Sequence, residues 1–145
     1  MNIFLRHGEV KNPKDILYYN IPGYELSEKG IKQAEHIAEK LKKDFKIEKI
    51  ISSPLLRARQ TSQIVNKMLK KEITFIDEIT EWGGIKNWIG NTTFEIQQSK
   101  EFEIYINDPT ELNTDESFFD TFKRVNKLYE LSLIHISEPT RPRSI

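Results

Sequence analysis

The segment FLRHGEV near the start of the chain closes a short apolar run, residues 3–5, with Arg6, His7, Gly8 and Glu9. A buried strand that ends in Arg-His-Gly delivers a guanidinium and an imidazole to the carboxyl edge of a sheet, where α/β proteins bind their ligands. Gly8 lets the backbone turn there and lets a ligand approach closely. A second arginine stands in a matching place. In ISSPLLRARQT, Arg57 falls one turn into a helix that directly follows a strand. From there its planar fork can reach the same sheet edge as Arg6. Each signal also has a plain reading, because a histidine beside a strand end is often a surface residue and helix arginines commonly lie in solvent.

The elements that must hold these side chains can be read from periodicity. Ser27 caps a helix whose apolar positions are Ile31, Ala34, Ile37, Leu41 and Phe45, spaced by three and four. Residues 49–53 form a second short strand. Ser53 and Pro54 then start a helix as cap and first turn, with Ala58, Thr61, Val65, Met68 and Leu69 on its apolar face. Residues 73–76 read as a third strand. A loop with two Trp and three Gly leads to helices over 93–105 and 115–130. Strands alternating with helices predict an α/β layer fold with a largely parallel sheet.

Composition narrows the class. One hundred and forty-five residues amount to one domain, and 22 Lys plus Arg against 22 Asp plus Glu leave no net charge. That balance excludes a broadly basic nucleic-acid binder and an acidic tail protein. No apolar run approaches the roughly 20 residues of a membrane helix, and the first residues give way at once to charge, so no secretory signal is expected. With no cysteine, disulfides and thiolate metal sites are excluded. A cytoplasmic domain is the expectation.

The two arginine motifs, with LSEKGIKQA between them, resemble the histidine phosphatase superfamily, whose fold is phosphoglycerate-mutase-like. Arg6, His7, Gly8 and Glu9 match its first motif, and Ser52, Ser53, Pro54, Arg57, Ala58, Gln60 and Thr61 its second, with Arg59 a bystander. WIGNTTFEI is similar to its W-x-G-x-T-x-x-E-I segment, and ESFFDTFKRV to its G-E-S-x-x-D-x-x-x-R-V helix. The resemblance spans residues 1–130 and implies a three-layer α/β fold around a mostly parallel sheet. It makes His7 the nucleophile, with Arg6 and Arg57 as phosphate ligands and a small phosphorylated molecule as substrate. Nucleic acid and membrane are not expected as partners, and no cofactor or metal is implied. The chemistry is coherent: two cationic forks let an imidazole approach a phosphomonoester dianion, and a carboxylic acid protonates the leaving oxygen. The acid falls in IDEITEWGGIKNWIG, where Glu81 is preferred and Glu78 is the other candidate. Asn12 stands one residue earlier than the family's phosphate-binding Asn and is retained as a contact.

One part of the family pattern is missing. The resemblance implies a second catalytic His in a later Ser-His-Gly, whereas the chain offers only His36, in a charged helix stretch, and His135 in LIHISEP. Residues 131–141, LSLIHISEPTR, resemble the translation of a sequencing-library adapter, although the alternation of LSLIHIS also has strand character. The expectation is therefore a C-terminally truncated domain over 1–130 followed by a non-native tail, 131–145. The resemblance favours a phosphomonoester hydrolase, inactive in this truncated form. A mutase, or a non-catalytic phosphoryl-binding module, are the alternatives.

Overall fold

The computed structural model describes residues 2–137. Two strands, β1 (Ile50–Ser52) and β2 (Ile73–Phe75), pair in parallel, with Ile50 opposite Ile73, Ile51 opposite Thr74 and Ser52 opposite Phe75. A parallel pair cannot be closed by a tight turn, and the crossover is a helix, α2 (Leu56–Leu69). Packed against α2 is α1 (Glu28–Asp44). The α/β order and the parallel pairing are those expected from the sequence.

In α1 the Ser27 hydroxyl accepts from the Gly30 N–H at 3.0 Å, and Glu28 in the first turn and Lys42 and Lys43 in the last complement the helix dipole. Its buried stripe is Gly30, Ala34, Ala38 and Leu41. This stripe is rotated from the expected face, so Ile31 and Phe45 sit at its margin, 39% and 37% exposed. The reason is steric: the small Ala34 and Ala38 allow α2 to come close. Ala38, Leu41 and Val65 form the core, with Ile37, Ile47, Ile50, Met68 and Leu69 around them.

Helix α2 also departs from expectation at its start. Its N-cap is Leu55, which makes no side-chain cap bond. Ser53 Oγ instead accepts from the Leu55 N–H at 3.3 Å, so it turns the chain ahead of the helix. At the far end Lys70 adopts the left-handed conformation (φ +52°), held by Asn66, which bonds both the N–H and the carbonyl of Lys71.

The strand expected at residues 3–5 does not form. Ile3, Phe4 and Leu5 remain 40%, 75% and 46% exposed, and no described strand takes up their N–H and C=O groups. Apolar character favours a strand, but only a partner's ladder completes one. The first such pairing of this region is the antiparallel bridge between Val10 and Leu26. The described sheet thus has two strands where three were expected.

Beyond β2 the chain is mostly helical. The helix expected over 93–105 is split into α3 (Thr93–Gln97) and α4 (Lys100–Asn107). Thr92 and Glu95 form a capping box for α3, and Ser99 Oγ accepts from the Phe102 N–H at 3.2 Å to start α4. Helix α5 (Phe118–Ser137) begins three residues later than expected, because the Ser117 hydroxyl accepts from the Asp120 N–H at 3.1 Å. It continues through 131–137, so that stretch is helix and not strand. Trp82, Trp88, Phe102, Tyr105 and Phe118 gather beside it, with ring centroids 4.2 Å apart for Trp82 and Phe118 and 5.8 Å for Trp88 and Tyr105. No described helix is long and apolar enough to cross a membrane.

Candidate active site

The segment bearing His7 is seated by its neighbours in the motif. The Gly8 N–H donates to Thr61 Oγ1 at 3.1 Å, and that hydroxyl donates to the Arg57 carbonyl at 2.7 Å. Gly8 and Gly30 lie so close that a Cβ on Gly8 would stand 2.4 Å from the Gly30 carbonyl oxygen, and one on Gly30 would stand 2.0 Å from that of Glu9. The Glu9 carbonyl accepts from the Ser27 N–H at 2.9 Å. Its carboxylate accepts from Ser27 Oγ and from Lys29 Nζ, at 2.9 and 2.7 Å, and the hydrogen bonds from Lys29 and then Ser27 hold its pKa below the ordinary value. Gln60 Oε1 accepts from the Leu26 N–H at 2.8 Å. Gly8 and Glu9, the residues that follow His7, are therefore tied to α2 through Thr61 and to the start of α1 through Ser27, while Gln60 ties Leu26 to α2.

Imidazole geometry follows from this seat. His7 Nδ1 lies 2.8 Å from the Gly8 carbonyl oxygen. A carbonyl only accepts, so Nδ1 carries the proton and the lone pair of the neutral ring is on Nε2. Nε2 faces Glu81 Oε2 at 4.0 Å. Arg57, 3% exposed, donates from Nη1 to the Tyr19 carbonyl at 2.8 Å and pairs through Nη2 with Glu81 Oε1. Its guanidinium also lies over the Tyr18 ring, 5.0 Å from the centroid. Burial pushes the Tyr18 phenol up, an effect that the nearby Arg57 opposes.

Glu81 thus lies within reach of both His7 and Arg57, whereas Arg6 is exposed. Asn12 has its amide engaged elsewhere: Nδ2 donates to the Ile16 carbonyl at 2.9 Å and Oδ1 accepts from the Ile16 N–H at 3.2 Å. Of the two candidate acids, Glu81 is the one paired with Arg57 and facing His7. Glu78 is exposed, and its carbonyl accepts from Arg124 at 2.7 Å. His36 is exposed on α1. The side chain of His135 and the tail beyond Ser137 lie outside the described residues. Among the described residues no three His, Asp or Glu side chains gather as a metal site would require.

Behind Glu81 lies a clamp with no signature in the sequence. Arg124 Nη1 donates to the carbonyls of Glu78 and Thr80, at 2.7 and 2.6 Å, while its Nε and Nη2 grip the Glu116 carboxylate. The hydrogen bonds from Arg124 hold the Glu116 pKa below its ordinary value. On the other side Thr80 Oγ1 meets Ser53 Oγ at 3.2 Å. Glu116 and Arg124 stand in ESFFDTFKRV, a stretch whose spacing was visible but whose target, a pair of backbone carbonyls, was not. Tyr19 has no sequence signature either. Its φ of +24° is unusual for an aromatic residue, and its carbonyl accepts from Arg57.

An imidazole lone pair, a buried guanidinium and a carboxyl group converging at one place suit nucleophilic attack on a bound oxyanion with proton delivery to the group that leaves. Comparison with known proteins agrees. The family model of the histidine phosphatase superfamily (branch 1) matches residues 2–138. The chain belongs to the histidine phosphatase superfamily. It is 40% identical over 82 residues to the 2,3-bisphosphoglycerate-dependent phosphoglycerate mutase of Thermoplasma acidophilum, a match covering 56% of this chain and 40% of that one. Bacillus stearothermophilus YhfR shares its fold with a TM-score of 0.76 at 25% identity, over 92% of this chain and 66% of YhfR. The mycobacterial glucosyl-3-phosphoglycerate phosphatase in complex with inorganic phosphate gives a TM-score of 0.71 at 25% identity, over 92% and 61%. The chain thus spans less than half the length of the mutase and about two thirds or less of these two structures.

Proposed function

We propose that this histidine phosphatase chain carries the nucleophilic part of a phosphomonoester hydrolase that works through a phosphohistidine on His7. The observation that supports this best is the convergence of His7 Nε2, Arg57 and Glu81, with the ring tautomer leaving Nε2 free. The Arg57 fork, otherwise paired with Glu81, takes the non-bridging oxygens of the phosphoryl group together with Arg6. Nε2 attacks phosphorus, the bond to the ester oxygen breaks, and Glu81, released from Arg57 and carrying a proton, gives it to that oxygen. Water then attacks phosphorus, the P–N bond breaks, inorganic phosphate leaves, and the proton of the water returns to Glu81. Asn12 becomes a further phosphate contact when its two hydrogen bonds to Ile16 open on binding.

The domain is taken to run to about residue 130, with 131–145 foreign to it and a second phosphoryl-holding His in the continuation of the parent gene. The longer protein would be the active species, in the cytoplasm, on a small phosphorylated molecule. A second reading, phosphoryl transfer of the mutase type, has the 40% identity to the Thermoplasma mutase in its favour. Turnover of an aryl phosphate by the longer protein, with release of inorganic phosphate, tests the hydrolase. His7→Ala should abolish it, and unimpaired turnover in that variant would overturn the proposal. Phosphate returned to a second hydroxyl of the substrate, with none released, would favour the mutase.

A further inference from the structure

We propose that the cavity beside Glu81 is a leaving-group subsite that selects phosphomonoesters whose leaving group is apolar and of aromatic-ring size; this rests on the phosphomonoesterase reading. The cavity has a volume of about 160 Å³ and is walled mainly by Leu17, Tyr19, Trp82, Trp88 and Tyr105, with Glu81 at its edge. Its position fixes what it can hold. Glu81 joins the cavity to the His7 and Arg57 cluster, and the acid must touch the oxygen that leaves. The carbon body attached to that oxygen therefore projects to the Glu81 side, away from the phosphoryl group on Arg57.

The chemistry of the walls sets the class. Both indole N–H groups are already committed, Trp82 to the Glu116 carbonyl at 2.7 Å and Trp88 to Ser99 Oγ at 3.1 Å. The two rings consequently offer carbon surface and no donor. No Lys, Arg or His lines the cavity among the described residues, and Lys86 on the adjoining turn is paired with Asp115. A leaving group bearing a carboxylate, as in a phosphoglycerate, would meet aromatic faces and Glu81 without a cation to receive it. A ring suits the space: an apolar cavity of about 150 Å³ is enough to hold benzene. Leu17 is held by its backbone, with N–H to the Asn91 carbonyl at 2.9 Å and carbonyl to the Gly90 N–H at 2.8 Å, so its side chain can be changed without loosening the wall.

The chain has two Trp, and both line this cavity, so tryptophan fluorescence reports on it directly. Phenylphosphonate, methylphosphonate and 2-carboxyethylphosphonate are titrated into the 145-residue chain, and also compared as inhibitors of aryl phosphate turnover by the longer protein. Phenylphosphonate should bind at least about tenfold more tightly than methylphosphonate, a modest value for an apolar group entering an apolar pocket, and the carboxyethyl compound no more tightly than methyl. In Leu17→Lys the phenyl advantage should shrink to about threefold or less, and the carboxyethyl compound should gain. Phenyl and methyl compounds within about twofold of each other, both displaced by inorganic phosphate, would overturn the subsite and leave the phosphoryl site standing. If inorganic phosphate displaces none of them, the phosphatase reading falls as well.

Discussion

With Nδ1 of His7 committed to the Gly8 carbonyl, the lone pair of the neutral ring lies on Nε2, toward Glu81. The acid assignment can be tested through its role alone. In the longer protein Glu81→Gln should slow esters of poor leaving groups far more than activated aryl esters, because only the former need the proton. The same pattern in Glu78→Gln, with Glu81→Gln unaffected, would move the assignment. Arg57 donates to two acceptors at once, the Tyr19 carbonyl and the Glu81 carboxylate, which an ammonium cannot match in one plane. Arg57→Lys should weaken inorganic phosphate binding by roughly tenfold to a hundredfold, the worth of one charged hydrogen bond of about 1.5–3 kcal/mol. Calorimetric titration measures this, and unchanged affinity would remove Arg57 from the phosphate site. These residues are legible in the sequence because their types are rare in such settings. Tyr19 is not, because it contributes a carbonyl, which every residue possesses.

Between elements, two joints govern the site. The first is the contact of the His7 segment with the start of α1. Gly30→Ala would place a methyl 2.0 Å from the Glu9 carbonyl oxygen, so backbone must move. A loss of about 1–3 kcal/mol is expected for overpacking of this kind, read from denaturant unfolding, together with weaker phosphate binding. The second joint is the grip of Arg124 on the loop before Glu81. Glu116 holds that arginine, and its carboxyl has a lowered pKa in the folded chain. A carboxyl of this sort stabilises fully above its unfolded pKa, near 4.5, and the contribution is lost as pH falls through the folded value below it. Acidification below about pH 4.5 should therefore loosen the clamp and shift the emission of Trp82, whose indole donates to the Glu116 carbonyl. Glu116→Gln should abolish that acid transition, and a transition persisting in the variant would assign it elsewhere. At this scale α1 and α2 are readable from spacing and from Ser27, since a helix makes its bonds within itself. Residues 3–5 mislead because a strand depends on a partner. The break at Ser99 follows from a cap that an unbroken apolar rhythm conceals.

As a whole, the molecule leaves much apolar surface in water. Phe4, Phe94, Ile106, Phe119 and Phe122 are 63–75% exposed, and Ile3, Leu5, Leu56 and Phe75 are also uncovered. Patches of this kind mark association surfaces or aggregation hazards, and residues 3–5 carry main-chain groups that no described strand pairs. The 145-residue chain should accordingly show a broad, low-temperature melt with concentration-dependent scattering, and little or no turnover. A sharp cooperative melt together with activity equal to that of the longer protein would contradict this. The α/β order of the molecule is legible from its alternating strand and helix patterns, whereas its exposed apolar surface is not, because exposure is a property of the packed whole. Rapid quenching of the longer protein into alkali during turnover of an aryl phosphate, followed by peptide mass spectrometry and phosphorus NMR, tests phosphoryl transfer through His7. Phosphate on Nε2 of His7, absent in His7→Ala, is the expected result; turnover with no label on His7, or label on another residue, would contradict it.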